Sequence, residues 1–559
     1  MKLSTNQFRI LLFLLSALCF IPFLGNAPLF DWDEINFAES AREMIVTGDY
    51  ARVQINFQPF WEKPPLFFWL QVASMKLFGI NEFAARFPNA LFGIITALTL
   101  FEMGRKLRSN QLGFIWACCM VFSFLPFIYF KSGIIDPVFN YFIFVGTWFL
   151  YLCTKVENKL KSRNYALLTG LFLGLAVLTK GPVALLLAGI TFFVYWAIQK
   201  FKPILSFLNG CYILLAILLT TFIWYGPETI KNGTWFLEQF VTYQIRLFTT
   251  PDAGHGQPFY YHFIVILIGC FPISIIALKH VFSKTNNLNI NATFLQWMYI
   301  LFSVVLIIFS ITTTKIVHYS SLCYLPLSGI AAFAIEKEIQ QKVKWSLFGK
   351  ISYGFIGGLL GLILLLIPLV GMNIQQLVPF IKDPFAVENL KAAVSWTYLD
   401  LSCGIIWLIS LALCVIYLHK KQLKKALIIQ FAGMVISTLI LLTSFVPRIA
   451  GYTQQAAVDF YIAKQHENVY IETLHFKSFA QYFYIQKKGI SFNEMLHSKD
   501  PQGYYNIDTL RNWYLNGNID KPVYFVLKSI HLKEYSANKE LKVLGQKNGF
   551  VFLLRNPKQ

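Results

Sequence analysis

The chain of 559 residues is 56% hydrophobic and 17% aromatic, and only 14% of its residues are charged. No soluble domain buries that much apolar surface, so the composition predicts a mainly α-helical, polytopic membrane protein. The formal net charge of +20 does not indicate nucleic-acid binding, because the Lys and Arg residues fall in the short turns between apolar runs, as the positive-inside rule requires.

Thirteen apolar runs in the sequence are long enough to cross about 30 Å of hydrocarbon. They lie near residues 8–26, 86–104, 111–130, 134–154, 165–180, 182–199, 207–226, 260–279, 295–314, 319–335, 351–371, 402–418 and 426–446. No small-x-small cleavage site follows the first run, so we expect an uncleaved span rather than a signal peptide. Lysine and arginine cluster in every second turn, whereas other short turns hold single lysines such as Lys131, Lys180 and Lys315. This bias predicts a cytoplasmic N-terminus, with the first loop, the 227–259 loop and everything after Pro447 outside.

The first loop, residues 31–65, carries a dense set of ionisable side chains beside the membrane. Its middle predicts a short amphipathic helix that Asp33 caps and Gly48 ends. Glu62 and Lys63 follow, held by two prolines that fix the backbone. A loop that only connects two helices does not need these groups, so we interpret this loop as part of the active site of an enzyme.

The acids of this loop admit two interpretations. Asp33 and Glu34 serve either as helix-start acids that favour the helix dipole or as a carboxylate site that takes a proton from an acceptor hydroxyl. Glu62 and Lys63 form either a surface ion pair or a site in which the lysine holds a phosphate by charge. Asp136 either caps a helix ahead of Pro137 or is a functional carboxylate at the membrane boundary.

Further candidates lie in two later segments. Arg246 stands among aromatic residues that include Tyr243, a setting that suits an arginine meeting an anion at an interface. His255 follows in a glycine-rich turn and is more often just a loop histidine. A polar cluster between the ninth and tenth spans holds His318 as well as Lys315 and Tyr319, which share one helical face and one phosphate unless Lys315 merely snorkels.

Several function classes lack their motifs in this sequence. We find no P-loop, no dinucleotide-binding GxGxxG after a strand, no HExxH and no GxSxG with triad partners, so nucleotide-driven chemistry is not indicated. The nine cysteines have no metal-ligand spacing, so neither disulfides nor structural zinc are expected. The remaining cations suit a lipid phosphate, and the carboxylates and aromatics suit a sugar.

The composition changes from about Arg448 onward. Charged sequence rich in Tyr and Asn surrounds short β-like runs at 469–474, 523–528 and 551–554. This predicts a small soluble α/β domain over residues 448–559, after a transmembrane domain over residues 1–447. We expect no catalytic residue in this C-terminal part, because it lacks clustered acids with a base or nucleophile.

A run of motifs in the membrane part resembles a known family. The motifs are Asp33-Glu34, Ala38-Glu39, Arg42-Glu43-Met44, Gly48-Asp49, Phe60-Trp61-Glu62-Lys63-Pro64-Pro65-Leu66 and Asn81-Glu82-Phe83-Ala84-Ala85-Arg86. In this order they closely resemble bacterial lipid A aminoarabinose transferases and, more distantly, protein O-mannosyltransferases. The resemblance covers roughly residues 5–335. It implies a C-type glycosyltransferase fold with about 13 transmembrane helices, a polyprenyl-phosphate sugar donor and an extracytoplasmic C-terminal domain.

The resemblance also implies roles for the candidate residues. It implies that Asp33 is the catalytic base and that Glu34 and Asp136 are catalytic as well. The residues that would bind the donor phosphate are Lys63, Arg246, Tyr319 and Lys315. The residues that would line the substrate cavity are Phe60, Glu62, His255 and His318. Phe60 replaces the tyrosine usual in the aminoarabinose enzymes. No histidine stands just before Arg246 to join Glu62, so a divalent metal is left open, with Glu62 as its candidate ligand.

These observations predict a glycosyltransferase of the bacterial inner membrane, a monomer among membrane lipids with its site on the extracytoplasmic face. The acceptor is a lipid A-like glycolipid, another glycan or a protein. The rival class is a transporter or flippase of a lipid-linked sugar, which predicts ionisable groups at mid-depth and broken helices in matching halves. The ionisable residues gather instead on one face, which favours an enzyme.

Overall fold

The computed structural model describes residues 3–60, 62–250, 256–281, 292–341 and 345–558. Most of these residues are helical, and a small sheet lies near the C-terminus, so the predicted mainly α fold class is confirmed. Trp61, His255 and the turns at 282–291 and 342–344 lie outside the described residues.

The helices follow each other along the chain with short connections. In the first half they are α1 (Thr5–Phe20), α2 (Asp33–Thr47), α3 (Leu66–Phe78), α4 (Glu82–Leu107), α5 (Asn110–Val121), α6 (Phe124–Tyr129), α7 (Asp136–Cys153), α8 (Lys159–Lys180), α9 (Val183–Ile198), α10 (Phe207–Asn232) and α11 (Trp235–Thr249). In the second half they are α12 (Tyr261–Gly269), α13 (Ile273–Val281), α14 (Ala292–Ile311), α15 (Tyr324–Gln341), α16 (Leu347–Met372), α17 (Ile374–Leu377), α18 (Pro384–Asn389), α19 (Ser402–His419), α20 (Leu423–Ile440), α21 (Val446–Thr453), α22 (Gln455–Ala463), α23 (Ala480–Ile485), α24 (Phe492–His497), α25 (Ile507–Asn516) and α26 (Leu532–Tyr535).

Six strands and several short turns complete the structure. The strands are β1 (Gln54–Ile55), β2 (Gln58–Pro59), β3 (Tyr470–Leu474), β4 (Val523–Lys528), β5 (Leu541–Lys547) and β6 (Phe550–Arg555). Short 3-10 segments are Val317–Cys323, Val378–Phe380, Tyr398–Leu401 and Ser529–His531, and a π-helical turn is Leu441–Phe445.

Every predicted apolar run contains helix in the structure. In the described part of the chain, six helices are long and apolar enough to cross a membrane, or seven if the pair α12 and α13, bent by 113°, counts as one span. The run at 111–130 is divided into α5 and α6, and α1 ends at Phe20. The total of thirteen spans therefore stays a prediction.

Small polar residues begin many of these helices. Asn81 accepts a hydrogen bond from the amide of Ala84 at the start of α4, and Ser109 and Asn158 act in the same way for α5 and α8. Glycine then permits close helix packing, because a Cβ added at Gly113 would stand 2.2 Å from a carbonyl oxygen of α4. Small residues at such contacts are how membrane helices bring their backbones together.

α2 is more deeply buried than an interfacial helix. Nearly all residues from Glu34 to Met44 are buried, and its internal pair of Glu39 and Arg42 is fully enclosed at 2.6 Å. The predicted cap is wrong: Trp32, at φ 101°, occupies the N-cap position without a side-chain hydrogen bond, and Asp33 is the first helical residue. The predicted end at Gly48 is correct, with φ 71°.

The C-terminal sheet has the order β3-β4-β6-β5. β3 pairs with β4 in parallel, and β4 with β6 and β6 with β5 in antiparallel fashion. One face packs on Trp513 and Tyr514 of α25, and the other joins the main hydrophobic core. The three predicted β-like runs are β3, β4 and β6, whereas β5 was not predicted. Its exposed, lysine-bearing sequence is typical of an edge strand.

The segment around the sheet lies directly against the first loop. The hydroxyl of Tyr484 receives a hydrogen bond from the amide of Leu29 at 2.9 Å, and Arg42 donates to the carbonyl of Lys487 at 2.6 Å. α21 continues the last long helix to Thr453, past the predicted boundary at 447. These contacts bring side chains from the C-terminal part to the loop that precedes α2.

Candidate active site

A cavity of about 130 Å³ lies where the start of α2, the start of α7, the end of α8 and the segment 309–322 meet. Its charged lining residues are Asp33, Glu62, Lys63, Asp136, Lys180, His318 and Lys477. Aromatic lining residues include Trp32, Phe37, Phe60, Phe139, Tyr243, Phe309, Tyr319 and Phe479. The chain thus gathers acids, cations and aromatic rings from distant segments around one space.

His318 stands between the two cavity aspartates. Its Nε2 lies 3.4 Å from Oδ2 of Asp33 and 3.9 Å from Oδ2 of Asp136. Asp136 is nearly buried, whereas 35% of the Asp33 side chain is exposed. Asp33 is therefore the carboxylate that a substrate reaches more easily.

Asp136 is not a helix cap. It is the first residue of α7, Ile135 occupies the N-cap position, and no side-chain cap bond is formed there. Its Oδ1 instead accepts a hydrogen bond from Nζ of Lys180 at 2.5 Å. Of the two interpretations, the structure therefore favours a boundary carboxylate held in an ion pair.

Gly181 fixes the end of the helix that carries Lys180. It has φ 102°, a left-handed conformation that glycine adopts without cost. A Cβ at this position would lie 2.3 Å from the ring of Phe240. Glycine thus ends α8 at the point where the Lys180 side chain enters the cavity wall.

Two ammonium groups of the membrane part lie beside aromatic rings of the cavity. Nζ of Lys63 is 5.1 Å from the ring centroid of Tyr243, and Nζ of Lys180 is 5.2 Å from that of Tyr319. Burial lowers the pKa of Lys63. The negative charge of Glu62 raises this pKa, whereas the positive charge of Lys180 lowers it further. A partly desolvated ammonium of this kind gains much from an incoming phosphate.

Glu62 and Phe60, which the resemblance assigns to the substrate cavity, line this space. Oε2 of Glu62 accepts a hydrogen bond from the hydroxyl of Tyr243 at 3.1 Å. Among the described residues, Glu62 belongs to no group of three His, Cys, Asp or Glu side chains that could share a metal.

Glu34 lies away from the cavity, so the geometry corrects its grouping with Asp33. Its carboxylate pairs with Arg86 at 2.7 Å and accepts a hydrogen bond from the amide of Gly133. Burial alone would raise the pKa of Glu34, but Arg86 and the hydrogen bonds around it bring the pKa below its usual value. These contacts anchor α2 to α4, so they give Glu34 a structural role.

Lys315 does not share a helical face with Tyr319. Lys315 lies outside any helix, Ile316 after it is extended, and the 3-10 turn that carries Tyr319 begins only at Val317. Nζ of Lys315 is buried and donates to the carbonyl of Thr312 at 2.5 Å, so it does not line the cavity. The expected common helical face is therefore wrong, and only Tyr319 reaches the cavity.

Arg246 lies beside the cavity rather than in its lining. Its guanidinium carbon is 5.2 Å from the ring centroid of Tyr243, the same ring that Lys63 approaches. His255 lies outside the described residues. Tyr243 thus connects Arg246 with the cavity cations, although none of these contacts could be predicted from spacing.

The sequence-based prediction missed Lys180 and the C-terminal contribution. Lys180 was counted only as a lone cation in a short turn, although a charge at a membrane boundary is a functional candidate by default. Lys477 and Phe479 of the C-terminal part line the cavity, whereas the absence of a catalytic residue from that part stays a prediction. Nζ of Lys477 lies 5.3 Å from the ring of Trp32. No local sequence signal indicates this contact, because it joins segments far apart in the chain.

Comparison with known proteins shows which proteins this chain is similar to. A family model for dolichyl-phosphate-mannose-protein mannosyltransferases matches residues 62–224. The chain is 27% identical over 367 residues to an undecaprenyl phosphate-alpha-4-amino-4-deoxy-L-arabinose arabinosyl transferase of Proteus mirabilis, an alignment that covers 63% of this chain and 65% of the relative. It is 30% identical over 384 residues to an uncharacterized protein of Aquifex aeolicus, covering 68% of this chain and 82% of that protein.

A solved structure shares the whole fold. ArnT from Cupriavidus metallidurans, bound to undecaprenyl phosphate, superposes with a TM-score of 0.75 at 16% identity and covers 98% of this chain and 97% of its own. The fold is thus that of the membrane-embedded GT-C glycosyltransferases. Together with this fold, the sequence matches show that the chain belongs to the GT-C glycosyltransferase family.

Proposed function

We propose that this protein transfers a sugar from a polyprenyl-phosphate donor to an acceptor of the bacterial envelope, on the extracytoplasmic face of the inner membrane. The observation that carries the proposal is the pairing of an accessible carboxylate, Asp33, with the cations Lys63 and Lys180 around one cavity. A glycosyl phosphate is already activated, so such a site needs no nucleotide.

The proposed step is a displacement at the anomeric carbon of the sugar. The bond from this carbon to the phosphate oxygen breaks, and the departing phosphate keeps the electron pair. The acceptor hydroxyl oxygen bonds to the anomeric carbon, and its proton passes to the carboxylate of Asp33. A positioned base of this kind contributes about 10² to 10⁴-fold in rate.

The cations stabilise the departing phosphate. Lys63 and Lys180 line the cavity, and the guanidinium carbon of Arg246 lies 5.2 Å from the ring centroid of Tyr243. Fixed positive charge aimed at developing negative charge is often the largest catalytic contribution in a dry site. The ring centroid of Tyr319 lies 5.2 Å from Nζ of Lys180, and Tyr319 also lines the cavity.

His318 and Asp136 position the reacting groups. Because Lys180 already neutralises Asp136, this carboxylate is suited to hold sugar hydroxyls rather than to take the acceptor proton. His318 lies between both carboxylates and orients Asp33 toward the cavity. Asp33 is then the base, and Asp136 faces the sugar or acceptor.

The relatives suggest which donors to test first. The aligned arabinosyl transferases are named for undecaprenyl phosphate-alpha-4-amino-4-deoxy-L-arabinose, and the family model is named for dolichyl-phosphate mannose. The donor to test first therefore carries aminoarabinose, and the donor to test second carries mannose. The acceptor is a lipid A-like glycolipid, another glycan or a protein, and the enzyme acts as a monomer.

The rival transporter or flippase has less support. It predicts broken spans in matching halves around a mid-depth site. Among the described residues, the one strongly bent pair of apolar helices is α12 and α13, and neither helix lines the cavity. The ionisable side chains instead collect at helix ends, as an enzyme at the membrane surface requires.

The test is transfer by the purified full chain in liposomes. Each labelled undecaprenyl-phosphate sugar is supplied with an envelope extract, and the products are identified by mass spectrometry. We expect one donor to lose its sugar to a defined acceptor. Transport of intact donor across the bilayer, with no sugar-acceptor product from any donor, would support the rival instead.

A further inference from the structure

The carboxyl ends of the parallel strands β3 and β4 carry a second group of reactive side chains. β3 ends at Leu474 and is followed at once by His475, whereas β4 ends at Lys528 and is followed by His531 and Glu534. The carboxyl ends of neighbouring parallel strands meet at the same edge of a sheet, where ligands of α/β sheets usually bind. The topology therefore brings two histidines and a glutamate together.

The spacing of these side chains fits a metal ion. Nε2 of His475 lies 3.2 Å from one carboxylate oxygen of Glu534, and Nδ1 of His531 lies 2.7 Å from the other. One ligand atom from each residue lies within 4.8 Å of the other two. Zinc binds imidazole nitrogen and carboxylate oxygen at about 2.0–2.2 Å, which such a triangle permits.

Three further observations bear on whether this cluster is a ligand site or a plain surface ion pair. A pair with Glu534 needs only one histidine, yet nitrogens of both His475 and His531 lie within 3.2 Å of its carboxylate oxygens. His475 also has φ 62°, a left-handed conformation that is uncommon outside glycine and concentrates at functional sites. The hydroxyl of Tyr535 lies 2.9 Å from Nε2 of His475.

We propose that His475, His531 and Glu534 bind a divalent transition metal of the zinc class. Two imidazole nitrogens and one carboxylate oxygen are ligands that zinc accepts, and water takes the fourth position. Tyr535 is placed to hydrogen-bond that water. None of these residues lines the cavity around Asp33, so this is a separate site.

The metal site holds the loop that reaches the cavity. The loop 475–479 begins at the ligand His475 and places Lys477 and Phe479 in the cavity wall. Ser478 of the same loop hydrogen-bonds to the side chain of Asp31. A metal that ties His475 to the turn after β4 therefore fixes the position of Lys477; this consequence, unlike metal binding itself, rests on the proposed function.

The first experiment measures metal binding by the full chain, purified without a histidine tag and treated with a chelator. Zinc content is measured after dialysis, and Co²⁺ is titrated with its absorption spectrum as the readout. We expect one equivalent in the wild type and at least ten-fold weaker binding in Glu534→Gln and His531→Ala. His466→Ala, which changes an exposed histidine outside the cluster, should bind as the wild type does. Equal binding in all four proteins, or none in the wild type, would overturn the site.

The second experiment follows amide hydrogen exchange in residues 475–479 and 529–535. Zinc should slow exchange in both segments of the wild type and in neither segment of Glu534→Gln. Metal binding without a change at 475–479 would overturn the anchoring of the loop. Because neither readout needs a transfer reaction, a failed transfer assay leaves these results intact, and the two proposals fail separately.

Discussion

Asp33 and Asp136 are chemically alike but lie in different surroundings. Asp136 is nearly buried and shares its charge with Lys180 at 2.5 Å, whereas the side chain of Asp33 is 35% exposed and has only His318 as a nearby ion-pair partner in the described structure. Carboxylates in unlike environments commonly divide the work of an active site. This difference supports the proposal that Asp33 takes the acceptor proton.

Lys63→Ala should weaken the binding of undecaprenyl phosphate by about 10- to 100-fold. The reason is that a charge-assisted hydrogen bond contributes about 1.5–3 kcal/mol. Lys76→Ala is the matched control, because Lys76 stacks on Tyr50 outside the cavity. Calorimetry in detergent checks both; equal affinities in the two variants would remove Lys63 from the phosphate site.

The binding of donor phosphate should also depend on pH through Lys63. Burial in the protein lowers the pKa of Lys63 below 10.5, the usual value of a lysine side chain, and phosphate binds the protonated ammonium. Affinity is therefore full below the lowered pKa and is lost as the pH rises through it. Lys63→Arg keeps its charge in this range, so its affinity should stay level between about pH 7 and about pH 10. Identical profiles for both proteins would show that another group titrates.

Three candidate residues from the sequence that line the cavity differ sharply in polarity from their sequence neighbours. Asp33, Lys63 and Asp136 are charges in apolar surroundings or beside prolines, and the cost of placing charge there makes function a fair hypothesis. Lys180 is also a charge in apolar surroundings, but it was used only as a marker of membrane orientation. No such signal marks Lys477, because its position in the cavity wall depends on the fold of a distant segment.

At the scale of elements, α2 is buried within the protein and does not lie loosely at the membrane surface. Glu34 ties its start to Arg86 of α4, and Arg42 ties its middle to the carbonyl of Lys487. Its charged residues read as an amphipathic face in the sequence, because periodicity cannot distinguish solvent from buried partners. This fixation keeps Asp33 at the cavity.

Glu34→Gln should destabilise the protein while leaving its chemistry largely intact. Breaking one side of a buried ion pair costs about 3–5 kcal/mol, since the other charge stays buried. Glu102→Gln is the control, because Glu102 pairs with Arg9 at a partly exposed site where the cost is about 0–1 kcal/mol. Thermal unfolding and transfer per folded molecule check this. A stable but inactive Glu34→Gln protein would return Glu34 to the catalytic set.

At the scale of the whole molecule, apolar runs predicted the helices well and their boundaries less well. The run at 111–130 contains a break near Ser123, because length and hydropathy do not indicate where a membrane helix bends. The sheet was predicted from its buried strands, whereas the exposed β5 carries no apolar pattern. Tertiary contacts between the sheet and the first loop were beyond any local pattern.

The loop charges predict the orientation of the molecule in the membrane. Asn158 should face the cytoplasm and Lys487 the opposite side, because the turn at 155–163 is rich in cations. Single cysteines at these positions, labelled by an impermeant reagent in intact cells, check this prediction. Both positions reacting from the same side would contradict the proposed topology.

The most direct test of the whole account is sugar transfer by Asp33→Asn. This variant keeps the size of the side chain but removes its charge and basicity, and no helix cap is lost because Trp32 holds the N-cap position. Asp49→Asn, in the same loop but outside the cavity, is the matched control. Transfer from the polyprenyl-phosphate sugar and binding of the donor are measured for both folded proteins.

The account predicts that Asp33→Asn loses about 10² to 10⁴-fold in transfer rate while it binds the donor normally, and that Asp49→Asn matches the wild type. Transfer by Asp33→Asn at the rate of the wild type, in a protein equally folded, would contradict the assignment of Asp33 as the base.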